Sequence, residues 1–144
     1  MSGLDSIMNE VGLEETPSIS NNVGAMKILA ILEGYKLRFK ELHWEAVNSG
    51  IDIHQMIDEI ISCVSDTEDS FSEVYQGIEG VIIPGTLGIL IPPEVTPSSA
   101  CRGLITSIRE SLSTAELKEK EMMEGILEDM IKELYKFIYL LKRA

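Results

Sequence analysis

Between residues 54 and 73 the chain places four residues able to hold a metal ion, His54, Asp58, Asp69 and Glu73, in a pattern that mirrors itself about the bond between residues 63 and 64. On a helix turning about 100° per residue, all four fall within an arc of roughly 100°. At about 1.5 Å of rise per residue, however, Asp58 and Asp69 stand roughly 16 Å apart, so one ion cannot touch both pairs of one chain. Two copies of such a helix, antiparallel across a two-fold axis, set His54 and Asp58 of one against Asp69 and Glu73 of the other. A two-fold contact is self-complementary and yields two identical sites. Read this way, the chain carries half of a metal site. His43 lies eleven residues before His54, and the two are the only histidines in the chain. A tight turn between antiparallel helices brings both imidazoles to one end of a bundle. Two His and three carboxylates form a mixed nitrogen and oxygen donor set, which suits Fe, Mn or Zn better than Ca or Mg.

Each of these residue types also has a plainer use. A lone histidine is more often structural than a ligand, and the single tryptophan, Trp44, is by default a core residue. Beside a metal that cycles between oxidation states, its indole has a second use as an electron donor. Lys36, Arg38 and Lys40 read as a solvated basic face. Cys63 sits beside the inferred two-fold centre, where it packs or meets its own mate. An acidic run is usually a solvated surface as well. Here, though, eleven acids and no Lys or Arg lie between Glu41 and Cys101, across the same stretch as the symmetric ligand set. Carboxylates gathered on a surface that becomes buried call for a cation.

A net charge of −12 argues against DNA binding, which rests on Lys and Arg neutralising phosphates. Cys63 and Cys101 follow no metal or redox spacing, and no secretory leader pattern is visible; both point to a reduced, cytoplasmic setting. The longest uncharged stretch, Gly80 to Pro93, has 14 residues with three Pro and three Gly, and is too short and too broken to span a bilayer.

The elements that must position the ligands are helices. Residues 1–20 are expected to form an acidic N-terminal tail, mobile or docked on a partner, in which Leu4, Ile7, Met8 and Val11 keep helical spacing. Residues 21–144 form the domain. A first helix is predicted from Asn22 to about Val47, with Ile28, Leu32, Tyr35, Phe39, Leu42 and Ala46 inward. Asn-Ser-Gly at 48–50 ends it, Gly50 being suited to a left-handed cap. A second runs from about Asp52 to Ile78, burying Ile53, Ile57, Ile60, Val64, Phe71, Val74 and Ile78. After an apolar connection over 80–98, a third helix carries Leu104, Ile105, Ile108 and Leu112. A capping box, Ser113 to Glu116, separates it from a fourth, which buries Leu127, Met130, Ile131, Leu134, Phe137, Ile138 and Leu141. Two short connections around one long crossover, between the second and third helices, give an all-α, ferritin-like four-helix bundle.

Leu42-His43-Trp44, then His54-x3-Asp58-x10-Asp69-x3-Glu73, then Gly80 and Pro84-Gly85-Thr86, resemble the Dps-type mini-ferritins. The resemblance covers the first two helices and the loop after them closely, and the last helix more loosely. It implies a ferroxidase centre in which His43, His54 and Asp58 come from one subunit and Asp69 and Glu73 from its dimer mate, with Trp44 beside it. It also implies Fe(II) oxidation by hydrogen peroxide or dioxygen, and ferric iron storage inside a dodecameric cage. The chain departs from the pattern in a His43–His54 spacing one residue shorter and in an acidic rather than Lys-rich tail. The shorter spacing and the apolar 80–98 loop keep a second reading open, a ferritin-like structural or interaction protein whose metal site is weak or lost.

Overall fold

The computed structural model describes residues 19–80 and 88–143, and no strand occurs among them. Helix α1 spans Ile19–Glu45 and runs into a 3-10 turn at Ala46–Asn48. Helix α2 spans Ile51–Glu79, α3 Pro97–Thr114 and α4 Lys120–Arg143. The predicted tail and its Leu4–Val11 repeat lie outside the described residues, except that residues 19 and 20 already belong to α1. Residues 81–87 of the apolar connection also lie outside them.

Helices α1 and α4 each pack on both α2 and α3, so the four form a bundle with α1 and α4 at opposite corners. One continuous apolar core runs through it. Every expected inward residue of α1 and α3 is buried, and in α2 so are Ile57, Ile60, Val64 and Phe71. At the start of α2 Ile53 is only partly buried, and the far end rotates slightly from the expected face, burying Tyr75 and Thr67 while Val74 and Ile78 stay at the margin. In α4, Phe137 and Leu141 are likewise marginal. The default core role for Trp44 does not hold, since its side chain is 67% exposed.

The helix ends show what fixes their lengths. Gly50 has φ 98° and ψ 153° at the start of α2, a conformation reserved for glycine. It therefore opens the second helix rather than closing the first in the left-handed region. Thr96 caps α3 through a reciprocal pair with Ser99: Thr96 Oγ1 accepts from the Ser99 amide at 3.1 Å, and Ser99 Oγ accepts from the Thr96 amide at 3.2 Å. Pro97 supplies the first helical position, where its missing N–H costs nothing. The expected box at Ser113–Glu116 is not formed. Ser113 Oγ turns back to donate to the Glu110 carbonyl at 2.6 Å. The reversal is made further on, where Glu119 takes φ 51° and Lys120 donates to the Ala115 carbonyl at 2.8 Å.

Before α3, residues 88–96 run beside α1. The Leu90 carbonyl lies against Gly34, where an added Cβ would stand 2.6 Å from it. Four residues further along both segments, Arg38 Nε donates to the Glu94 carbonyl at 2.6 Å. The Tyr35 hydroxyl donates to Glu94 Oε1 at 2.8 Å, and the same carboxylate closes over Gly103 of α3. Glycine to alanine inside a helix ordinarily gains about 1 kcal/mol. Gly34→Ala should instead lose about 1–2 kcal/mol, because a backbone carbonyl must move to make room. Thermal unfolding together with amide exchange over 88–96 checks this, and a raised melting temperature would show that the segment is not held there.

Candidate metal centre

His43 stands roughly 60° around α1 from the centre of its apolar stripe, and His54 roughly 100° from that of α2. Both therefore lie on the flanks of their helices rather than in the core, and the reversal at Ala46–Gly50 faces those flanks. The two imidazole centroids are 3.7 Å apart with the rings inclined at 37°. The 3-10 turn and Gly50 carry the chain from one histidine to the other. Asp58, one helical turn beyond His54, brings Oδ1 to 3.1 Å from His43 Nε2. One donor atom from each of His43, His54 and Asp58 lies within 4.8 Å of the other two.

His43 Nε2 is buried and makes no hydrogen bond among the described residues, so its approach to Asp58 is close but out of line. A ring nitrogen removed from water without a partner is costly. Transition metals sit about 2.1 Å from imidazole or carboxylate donors, so a small closure of these three side chains onto one ion would satisfy it. Asp58 is 58% exposed, which leaves the ion side of the cluster open to solvent or to another molecule. The donor set fits Fe, Mn or Zn.

Asp69 and Glu73 do not join this cluster, and both are exposed. They lie roughly 160° from the apolar stripe of their own helix, on its outer face. Trp44 likewise stands on the outside of α1, away from the core. Cys63 is half-buried and Cys101 buried. Burial pushes the two thiols up to about 11 and about 12 respectively, so neither is poised as a thiolate ligand.

The bundle end beside the cluster has an open groove of about 390 Å³, whose wall includes Leu42 and Ile53, the residues just before the two histidines. Its wall mixes apolar side chains with Ser49, Thr96 and Ser98 and offers one carboxylate, that of Glu45. Of the two, the neighbouring triad is the one with a donor set that could hold a metal.

Sequence reasoning missed the polar contact that fixes α1 against α2. Lys36 Nζ lies 2.7 Å from Glu33 Oε2 and 2.8 Å from Glu68 Oε1. Lys36 is 16% exposed and Glu68 17%, so the solvated-face reading fails for Lys36. It fails also for Arg38, which is 13% exposed and bound to Glu41 and to the Glu94 carbonyl, and it holds for Lys40. Burial, then the hydrogen bond with Glu33, pushes the Glu68 carboxyl up to about 7. That same hydrogen bond outweighs burial at Glu33 and holds it below its ordinary value. Burial works against the charge of Lys36, but its bonds to the two glutamates prevail and raise it. The two carboxylates thus share one cation, and Glu68 keeps its proton to a higher pH than an ordinary carboxyl.

Compared with protein-family models, with curated proteins and with solved structures, the chain matches none.

The proton on Glu68 gives the fold a pH signature. A carboxyl that titrates higher in the folded state than in the unfolded one contributes stability that is fully present below its unfolded value of 4.5. That contribution is lost as pH rises through about 7. Stability should therefore fall across this window, and Glu68→Gln, which keeps a hydrogen-bond donor towards Glu33, should flatten the fall. Urea midpoints on either side of the window read it out, and an unchanged slope in the variant would place the proton elsewhere.

Proposed function

We propose that the protein is an iron-binding, Dps-like member of the ferritin-like bundles, which takes up Fe(II) at a site completed between two copies, oxidises it there and stores the ferric product. The observation that carries this reading is the meeting of His43, His54 and Asp58 donor atoms within 4.8 Å, around a buried ring nitrogen that has no hydrogen bond. Asp69 and Glu73 support it from the outer face of α2, where an antiparallel second copy would carry them to the first copy's triad. In that pairing the imidazoles are neutral donors, the carboxylates draw in Fe(II) and stabilise Fe(III), and Asp58 bridges or orients. Hydrogen peroxide accepts one electron from each of two Fe(II) ions, so no hydroxyl radical is released. Trp44, beside His43 in the chain, would donate an electron if an oxidising equivalent is left over. A cage of such dimers would hold the mineral.

Anaerobic Fe(II) titration of metal-free protein, followed by a peroxide pulse, tests the proposal. Saturable binding of at least two irons per dimer is expected, with a rise in melting temperature as metal concentration increases. Asp69→Ala with Glu73→Ala should slow oxidation by about 100-fold or more, since loss even of a group supporting a ligand costs 10–100-fold. Helical content should not change. Fast oxidation in that double variant would move the site. Absence of saturable binding would leave the alternative, a bundle of this kind acting through its surfaces alone.

A further inference from the structure

The triad of His43, His54 and Asp58 comes from a single chain, with its donor atoms within 4.8 Å of one another. Two histidines and one carboxylate hold Fe(II) on one face and leave about three of an octahedral ion's six positions open. Asp69 and Glu73 of the same chain do not join the cluster. Asp58 is 58% exposed, so the outward side is accessible.

Helical spacing decides what borders those open positions. Val47 follows His43 by four residues, where α1 runs into its 3-10 turn, and Ile51 precedes His54 by three, at the start of α2. Residues three or four apart on a helix are surface neighbours. Asp58 lies one turn beyond His54 in the other direction, so Val47 and Ile51 border the triad on the side of the reversal. Both are left in water, Val47 72% exposed and Ile51 79%. A single exposed apolar residue calls for no explanation. Two that rim one triad from both of its helices form a contact for an apolar ligand body.

Charge narrows the class of ligand. Between His43 and His54 the charged residues are Glu45 and Asp52, both acids. Lys40 stands a turn before His43, towards Asp58 and away from the reversal. Fe(II) with one carboxylate carries a single positive charge, which a ligand with one anionic oxygen balances. A second anionic group, as in oxalate, would face acids there and no base of either helix to pair with.

We propose that the iron-loaded triad binds a catechol-type ligand, chelated through two adjacent oxygens with its ring on Val47 and Ile51. One hydroxyl proton passes to solvent on binding. The inference rests on reading the triad as an iron site, and on neither pairing nor oxidation. A mate's Asp69 and Glu73 would claim the same open positions, so ligand and mate exclude each other.

The test is anaerobic titration of Fe(II)-loaded protein, freed of excess iron, with 4-nitrocatechol, whose visible absorbance shifts on deprotonation and chelation. Saturation near about one ligand per chain is expected, and oxalate should compete only weakly. His54→Ala should lose the ligand together with the iron. Val47→Ser with Ile51→Ser should weaken binding about tenfold, roughly what covering two methylene groups is worth, and leave the iron content unchanged. Asp69→Ala with Glu73→Ala should bind the ligand at least as tightly as the native chain. Iron held without nitrocatechol in that last variant, equal affinity for oxalate, or no weakening in the Val47 and Ile51 variant would each overturn the proposal and leave the iron site standing. A chain that holds no iron would overturn both.

Discussion

The antiparallel register of α1 on α2 is the constraint on which the rest of the structure depends. A helix turns about 100° per residue, so a slip of one residue would swing His43 off the seam and dissolve the triad. Three features oppose such a slip. The reversal at Ala46–Gly50 is short and uses a backbone conformation open only to glycine. Leu42, Phe39 and Leu32 interleave with Ile57, Ile60 and Val64 in one core. Lys36 accepts only one placement of Glu68, because two carboxylates and one ammonium must settle their charges in a partly dry seam. Taking such a cluster out of water gives little net stability, but a misregistered alternative would strand charges there, so its effect is on specificity.

The helices were legible because their apolar stripes are regular, and the stripe of α1 was recovered without error. What was misread came from judging residues by type instead of by helical phase. Trp44 is a large aromatic, and its type suggested the core; its phase, roughly 160° from the stripe, puts it outside. Lys36 and Arg38 are cations, and their type suggested solvent; their phases, roughly 80° to either side of the stripe, put both at the core's edge. The boundary after Ser113 was found, but its capping box was not formed, since a serine in a last helical turn satisfies itself on a carbonyl behind it. Of the site, the spacing of His43, His54 and Asp58 was enough to bring them together once the helices were right. The contact of Glu94 with Tyr35 joins residues 59 apart in sequence across a connection without periodicity, and no local pattern encodes it.

Under the proposed pairing, the distribution of charge would tie assembly to cation binding. Within the proposed pairing, two copies of α2 meet along faces that hold Asp58, Asp69 and Glu73 and no base, so without an ion they repel. A divalent ion placed between His43, His54 and Asp58 of one copy and Asp69 and Glu73 of the other removes that repulsion twice over, because the two-fold axis repeats the site. Linkage then makes ion and mate reciprocal: whichever binds first strengthens the other by the same factor. A lysine on this face would ease pairing by metal-free chains but would also occupy the carboxylates an incoming ion needs. In that pairing the lack of any base between Glu41 and Cys101 would have a physical consequence beyond attraction of cations, since it would leave metal as the counter-charge that brings the two faces together.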